Sequence, residues 1–258
     1  MCSSDLFNNG ARGAIVGNSI RKCSLGVGSG PTGTTTDTFT SFVVANNEID
    51  ACDYGIQMGW YGYTGREAPI NVKVVGNTVT RCKRAGISYD GNSSLTTNNK
   101  YIQISGNVIA NMGTADYDGT TSNTAKGISL SYAQSTNVTG NTIHDTPSSG
   151  ISCAQSTSTV INSNSMTNVG GGISLASGQD YTVNANRISQ STATGISGQT
   201  GCTITANNIS NVTGVGISIP NSATRFIVSL NQINSASLGG VVLGTGTTNF
   251  VNINNLVT

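Results

Sequence analysis

The chain has 258 residues, 12 Lys and Arg against 11 Asp and Glu, and a formal net charge of +1. That balance gives no electrostatic case for nucleic acid or an anionic membrane as a partner; no apolar run is long enough to span a bilayer, and no signal peptide stands at the start. The length suffices for a sizeable core, but 33 Gly, 4 Pro, 9% charged and 5% aromatic residues describe a repetitive chain whose core is a narrow column.

Residues 1–6, MCSSDL, fit no later pattern and match the translation of a common sequencing adapter, so they are read as a non-native leader. Residues 7–258 are read as one domain. An asparagine after V-x-x or I-x-x recurs as Asn18, Asn47, Asn77, Asn107, Asn141, Asn164, Asn186, Asn207, Asn231 and Asn254. Two residues after each stands Ile20, Ile49, Val79, Ile109, Ile143, Met166, Ile188, Ile209, Ile233 or Leu256. A Gly followed by Ile or Val comes eight or nine residues beyond the Asn, as Gly26, Gly55, Gly86, Gly150, Gly172, Gly195, Gly216 and Gly240, with Gly127 displaced by an insertion. The period is 29 to 34 residues before Asn141 and 21 to 24 after it. Each pass holds three short alternating runs, such as YTV, NRIS and GIS within 181–197, and no helical period appears. Runs this short bury a face only when stacked on equivalents above and below, which is the logic of a solenoid.

The passes are unequal. Those of residues 7–145 carry insertions at 28–41, 59–71, 90–99 and 113–125, whereas those of 146–258 are thin scaffold: of 23 charged residues, only Asp180, Arg187 and Arg225 follow position 145. The chain stops at NNLVT, in the middle of a pass, and both ends are read as cut.

Ten passes of three strands around an Asn file resemble the right-handed parallel β-helix of the pectin-lyase-like superfamily, in style close to phage tailspikes and NosD-like repeat proteins. The resemblance implies an all-β, single-stranded solenoid of about ten coils, on the order of 45 Å long at a coil spacing of about 4.8 Å. It further implies an Asn ladder at one turn and a polysaccharide cleft on the Gly-Ile face between the long loops. It is compatible with a homotrimer and with an extracellular, virion-associated or periplasmic location. The W-x-D-H and R-x-P-x-x-R signatures of pectate lyases, the N-T-D, G-H-G and R-I-K set of polygalacturonases and the D-P-H-D of alginate epimerases are all absent. No catalytic residue is therefore carried over.

Candidate residues come from the chemistry a sugar polymer needs. Trp60, Tyr61 and Tyr63 offer flat apolar surfaces to sugar rings, Arg66 and Lys126 suit carboxylates of an acidic glycan, and Tyr89 lies at the same face. Hydrolysis needs two carboxyls, from Asp53, Asp90, Asp116, Asp118 or Glu67; Asp53 and Asp90 sit on adjacent coils near opposite ends of the Gly-Ile strands. Elimination would draw on Arg84, Lys83 or Tyr89. The alternative function is a non-catalytic β-helix module: an adhesin, a tail shaft or a periplasmic repeat domain. Cys23, Cys52 and Cys82 each follow a ladder Asn by five residues, with Met112 next in that place, and read as interior packing; without C-x-x-C or a nearby His, no metal or cofactor is expected. His144 beside Asp145 reads as an exposed strand residue, and the Ser88, Ser129, Ser152, Ser174, Ser197 and Ser218 column suits any exposed parallel sheet.

Overall fold

The recurring asparagines mark one corner of a coil, and the chain turns there because the residue just before each of them is left-handed. Gly17, Asn46, Gly76, Gly106, Gly140, Ser163, Ala185, Ala206, Leu230 and Asn254 have φ between 53° and 72°. These details come from a computed structural model, which describes residues 12–29, 41–59, 71–91, 101–114 and 119–258. The leader at 1–6 and the candidates Trp60, Tyr61, Tyr63, Arg66, Glu67, Asp116 and Asp118 lie outside the described residues.

The fold is an all-β, right-handed parallel β-helix. Three parallel sheets run along the rod: the first holds the strands before each ladder Asn, the second those after it, and the third the Gly-Ile strands. Strands pair in register with the same strand of the next coil, as Arg12–Val16 does with Ser41–Ala45 and Tyr54–Met58 with Ala85–Asp90. In two coils the strand continues around the corners, giving the unbroken Thr142–Asn162 and Ser165–Asn184. The aliphatics two residues after the ladder are the spine of the core; Ile20, Ile49, Val79, Ile109, Ile143, Met166, Ile188, Ile209 and Ile233 are all buried. Each such side chain contributes about 1.5–3 kcal/mol on burial, and only stacking lets three- to six-residue strands offset their ordering cost.

The ladder itself is sequential. The Asn77 backbone N–H and Nδ2 both donate to Asn107 Oδ1, at 2.9 and 3.0 Å, while Nδ2 also reaches the carbonyls of Val44 and Val75 at 2.9 and 3.3 Å. The same pattern runs from Asn18 to Asn231, whose acceptor is Asn255 Oδ1 and not Asn254. The last position is therefore one residue later than the sequence spacing predicts, and the aliphatic paired with Ile233 is Val257 and not Leu256. At each turn the left-handed residue precedes the ladder Asn, which itself serves as a buried hydrogen-bond relay.

Glycines open the third sheet for want of space. A Cβ on Gly195 would lie 2.6 Å from the Gly216 carbonyl oxygen and 2.7 Å from Ile209 Cγ2. Past that Gly the strand alternates: Ile87, Ile128, Ile151, Ile173, Ile196 and Ile217 point inward, and the paired file Ser88, Ser129, Ser152, Ser174, Ser197 and Ser218 lies on the other face.

Candidate functional site

The outer face of the third sheet carries a recess of about 630 Å³ where the decorated coils stack. Its floor is Ser88 of Ala85–Asp90 and Ser129 and Ser131 of Lys126–Ser131; Arg84, Lys83 and Lys126 enter at the start of those strands; Asp90 closes the far end. Thr121, Ser122 and Thr124 of the fourth insertion form one wall, which the Ser122 N–H ties to the Gly113 carbonyl at 2.9 Å. Four of the charged residues the sequence singles out, Lys83, Arg84, Asp90 and Lys126, thus meet in one cavity.

Each charge has a definite environment. Arg84 Nε donates to Asp53 at 3.1 Å, and its guanidinium lies 5.7 Å from the Tyr54 ring centroid, so the Asp53 charge holds it protonated above its usual range. Asp90 is pushed up from the usual carboxylate range by burial, against hydrogen bonds from Gln57 and Ser131 and the attraction of Lys126. Ser88 is 3% exposed, and its hydroxyl is the one buried side-chain polar atom without a hydrogen-bond partner among the described residues. Buried polar groups are nearly always paired, so this hydroxyl stands out as an open hydrogen-bonding position on the cavity floor.

Two expectations are corrected. Asp53 sits against Arg84 at the start of the third-sheet strand and Asp90 at its end, with the six-residue Ala85–Asp90 between them. At about 3.3 Å per residue that is roughly 20 Å, beyond the roughly 5–9.5 Å that two glycosidase carboxyls span. Tyr89 is 1% exposed, inside the column with Leu130 and Cys153 in register, and so faces away from the recess. That was legible: Tyr89 follows Ile87 by two residues, and alternate strand residues share a face. Gln57 and Ser131 were missed, although Gln57 occupies the position in register with Ser88 and Ser131 the one in register with Asp90.

Away from the recess, His144 Nδ1 lies 2.7 Å from Asp145 Oδ2, and Asn168 Nδ2 donates to Asp145 Oδ1 at 2.6 Å, both of which draw the Asp145 carboxyl below its usual range. Among the described residues, no three His, Cys, Asp or Glu side chains converge on a point that could hold a metal ion. Cys23, Cys52, Cys82 and Met112 do form an interior file: the Cys23, Cys52 and Cys82 carbonyls accept from Asp53, Lys83 and Gly113 of the following coil.

A family model described as "Periplasmic copper-binding protein (NosD)" matches residues 3–169 and, in a second overlapping pass, 92–258. Among solved structures, the chain is similar to a GH136 lacto-N-biosidase from Eubacterium ramulus at 13% identity and a TM-score of 0.54, covering 87% of this chain and 45% of that one. It also aligns with the tailspike protein 2 of Escherichia coli O157:H7 bacteriophage CAB120 at 11% identity and a TM-score of 0.23, covering 92% of this chain and 38% of that one. The likeness to the biosidase is one of fold, and this chain spans less than half the length of either protein. No curated protein matches the sequence significantly.

Proposed function

From the premise that this chain belongs to the NosD family of parallel β-helix repeat proteins, we propose that it is an extracytoplasmic module that binds an acidic polysaccharide along its third sheet. The carrying observation is the orphan Ser88 hydroxyl on the floor of a recess flanked by Arg84 and Lys126. A uronic acid residue meets each feature: its carboxylate takes the two cations, and a ring hydroxyl takes Ser88 Oγ. Asp90, held toward its neutral form, accepts or donates to a second sugar hydroxyl. The biosidase relative shows that this fold class holds oligosaccharide-active proteins, which supports the reading without transferring a reaction.

Binding is favoured over two-carboxylate hydrolysis, because Asp90 is the one carboxylate lining the recess among the described residues. Elimination is the second reading, since Lys83, Arg84 and Lys126 gather cations around a single uronate-sized cavity. Calorimetry against matched uronate-containing and neutral bacterial polysaccharides tests the proposal, with product mass spectrometry on the same samples. Binding of the acidic polymers alone, weakened about tenfold or more in Lys126→Ala, is expected; equal binding of neutral polymers overturns the acidic specificity. Unsaturated products would establish the lyase, and products carrying one added water would restore a hydrolase. Light scattering tests the trimer that tailspike-like assembly requires.

A further inference from the structure

One ion pair stands behind the recess without entering it: Arg84 and Tyr54 line the cavity, and Asp53 does not. Backbone bonds set the order of the coils. The Arg84 N–H donates to the Asp53 carbonyl at 2.9 Å, and the Lys126 N–H to the Arg84 carbonyl at 3.0 Å, so Arg84 stands between Asp53 on one coil and Lys126 on the other. This pair is made differently from the others that link coils. Arg81 gives Asp50 both Nε and a terminal nitrogen, and Arg21 meets Glu48 through a terminal nitrogen. Arg84 meets both oxygens of Asp53, at 3.1 Å each, through Nε alone. Tyr54 holds the same guanidinium from the side, with its ring centroid 5.7 Å away and a side-chain hydrogen bond to it. Asp53 thus fixes one edge of the guanidinium and leaves the terminal nitrogens to the cavity that Arg84 lines.

We propose that Asp53, assisted by Tyr54, is a positioning residue for the acidic-glycan reading, on which this role rests: it holds the Arg84 guanidinium so that a uronate carboxylate meets a preformed fork. The Arg84 side chain is 57% exposed, and a long side chain that open samples many rotamers unless something holds it. An ordered guanidinium loses less freedom when a carboxylate docks, and pairing of a planar fork with a carboxylate depends on its orientation. A pair with so exposed a member contributes little to folding, so stability does not account for the arrangement. Lysine could not replace Arg84, because an ammonium has no second edge for Asp53 to hold. Charge alone argues the opposite way. Asp53 is an anion beside an anion site, so on Coulomb grounds its removal tightens an acidic ligand, whereas loss of the preformed fork weakens it. The two effects differ in sign, and the sign decides between them.

The test is calorimetry of the whole chain against a uronate-containing polysaccharide, with denaturant unfolding to check that each variant is folded. Asp53→Ala is expected to weaken binding about 2- to 10-fold, the range for ordering one rotamer-rich side chain. Asp53→Asn, which keeps an acceptor for Nε, should recover part of that loss. Arg84→Lys, although it keeps the charge, should lose most of what Arg84→Ala loses. Combined with Arg84→Ala, the Asp53→Ala change should leave affinity unchanged or tighten it, because no guanidinium remains to be held. Unchanged or tighter binding by Asp53→Ala in the otherwise intact chain overturns the positioning role and leaves the glycan reading standing. Equal weakening with and without Arg84 overturns it as well, since the effect would then not pass through that side chain. No binding of the acidic polymer by the unsubstituted chain overturns both.

Discussion

The coils up to residue 145 and those after it are built on one scaffold and differ in everything the scaffold leaves free. Both halves share the ladder asparagines, the aliphatic two residues on and the crowded glycine. The ion pairs Arg21–Glu48, Arg81–Asp50 and Arg84–Asp53 link coils of the first half only among the described residues, and the corner holding sulfur there holds Thr, Val and Ser in the second. The contrast separates what a β-helix requires from what one stretch of it carries: buried relays and close backbone approaches repeat throughout, while charge, sulfur and cavities are local.

The largest expected effect tests the shared part. Asn77→Ala in the decorated half and Asn164→Ala in the thin half should each cost about 4 kcal/mol, because each strands two donors of the preceding Asn and two carbonyls (Val44 and Val75, or Val138 and Asn162) in a buried place. Denaturant unfolding would measure both, and a difference above about 2 kcal/mol would break the idea of a common scaffold. Gly86→Ala and Gly195→Ala should follow at about 2–3 kcal/mol each from overpacking. Gly106→Ala, with open space around its Cβ but φ of 63°, should cost about 1 kcal/mol.

The pH dependence should belong to the decorated half. Hydrogen bonds from Arg81 hold the Asp50 carboxyl below its usual range, with Thr80 assisting at 2.8 Å. A lowered folded-state pKa contributes stability that is complete above the unfolded value of about 4 and is lost as pH falls through the folded one. Thermal melts of the intact chain should therefore fall more steeply below pH 4 than those of Asp50→Asn, which should itself lose about 2 kcal/mol at neutral pH. Identical acid profiles would remove Asp50 from the account. The smallest effect is in stability and the most specific in binding: Ser88→Ala should change stability by less than about 0.5 kcal/mol, since it deletes an unpaired hydroxyl. Affinity for the acidic glycan should drop about 3- to 10-fold, the range of one hydrogen bond, while Ser174→Ala leaves it unchanged.

The scaffold was legible because its constraints repeat. A single Asn two residues before an aliphatic carries no information, but a file of them fixes the register, and only at Asn254 and Asn255 did two adjacent candidates leave it open. The site was less legible because it depends on differences between identical letters. Ser88 and Ser174 occupy the same place in the same repeat, and only the first lines the recess with Lys126, Arg84 and Thr121, Ser122 and Thr124. The separation of Asp53 from Asp90 likewise follows from strand length and not from residue type, so two carboxyls on neighbouring coils read as a pair until the register is drawn.

The ladder also gives the rod a direction. In each of its nine Asn-to-Asn bonds, from Asn18 to Asn255, the amide nitrogen donates to the Asn of the later coil and the oxygen accepts from that of the earlier one. The side-chain dipoles therefore add along the axis, and each bond polarises the next. One end of the row presents an acceptor and the other presents donors, so a further coil, or a second rod placed end to end, continues the row only when it points the same way.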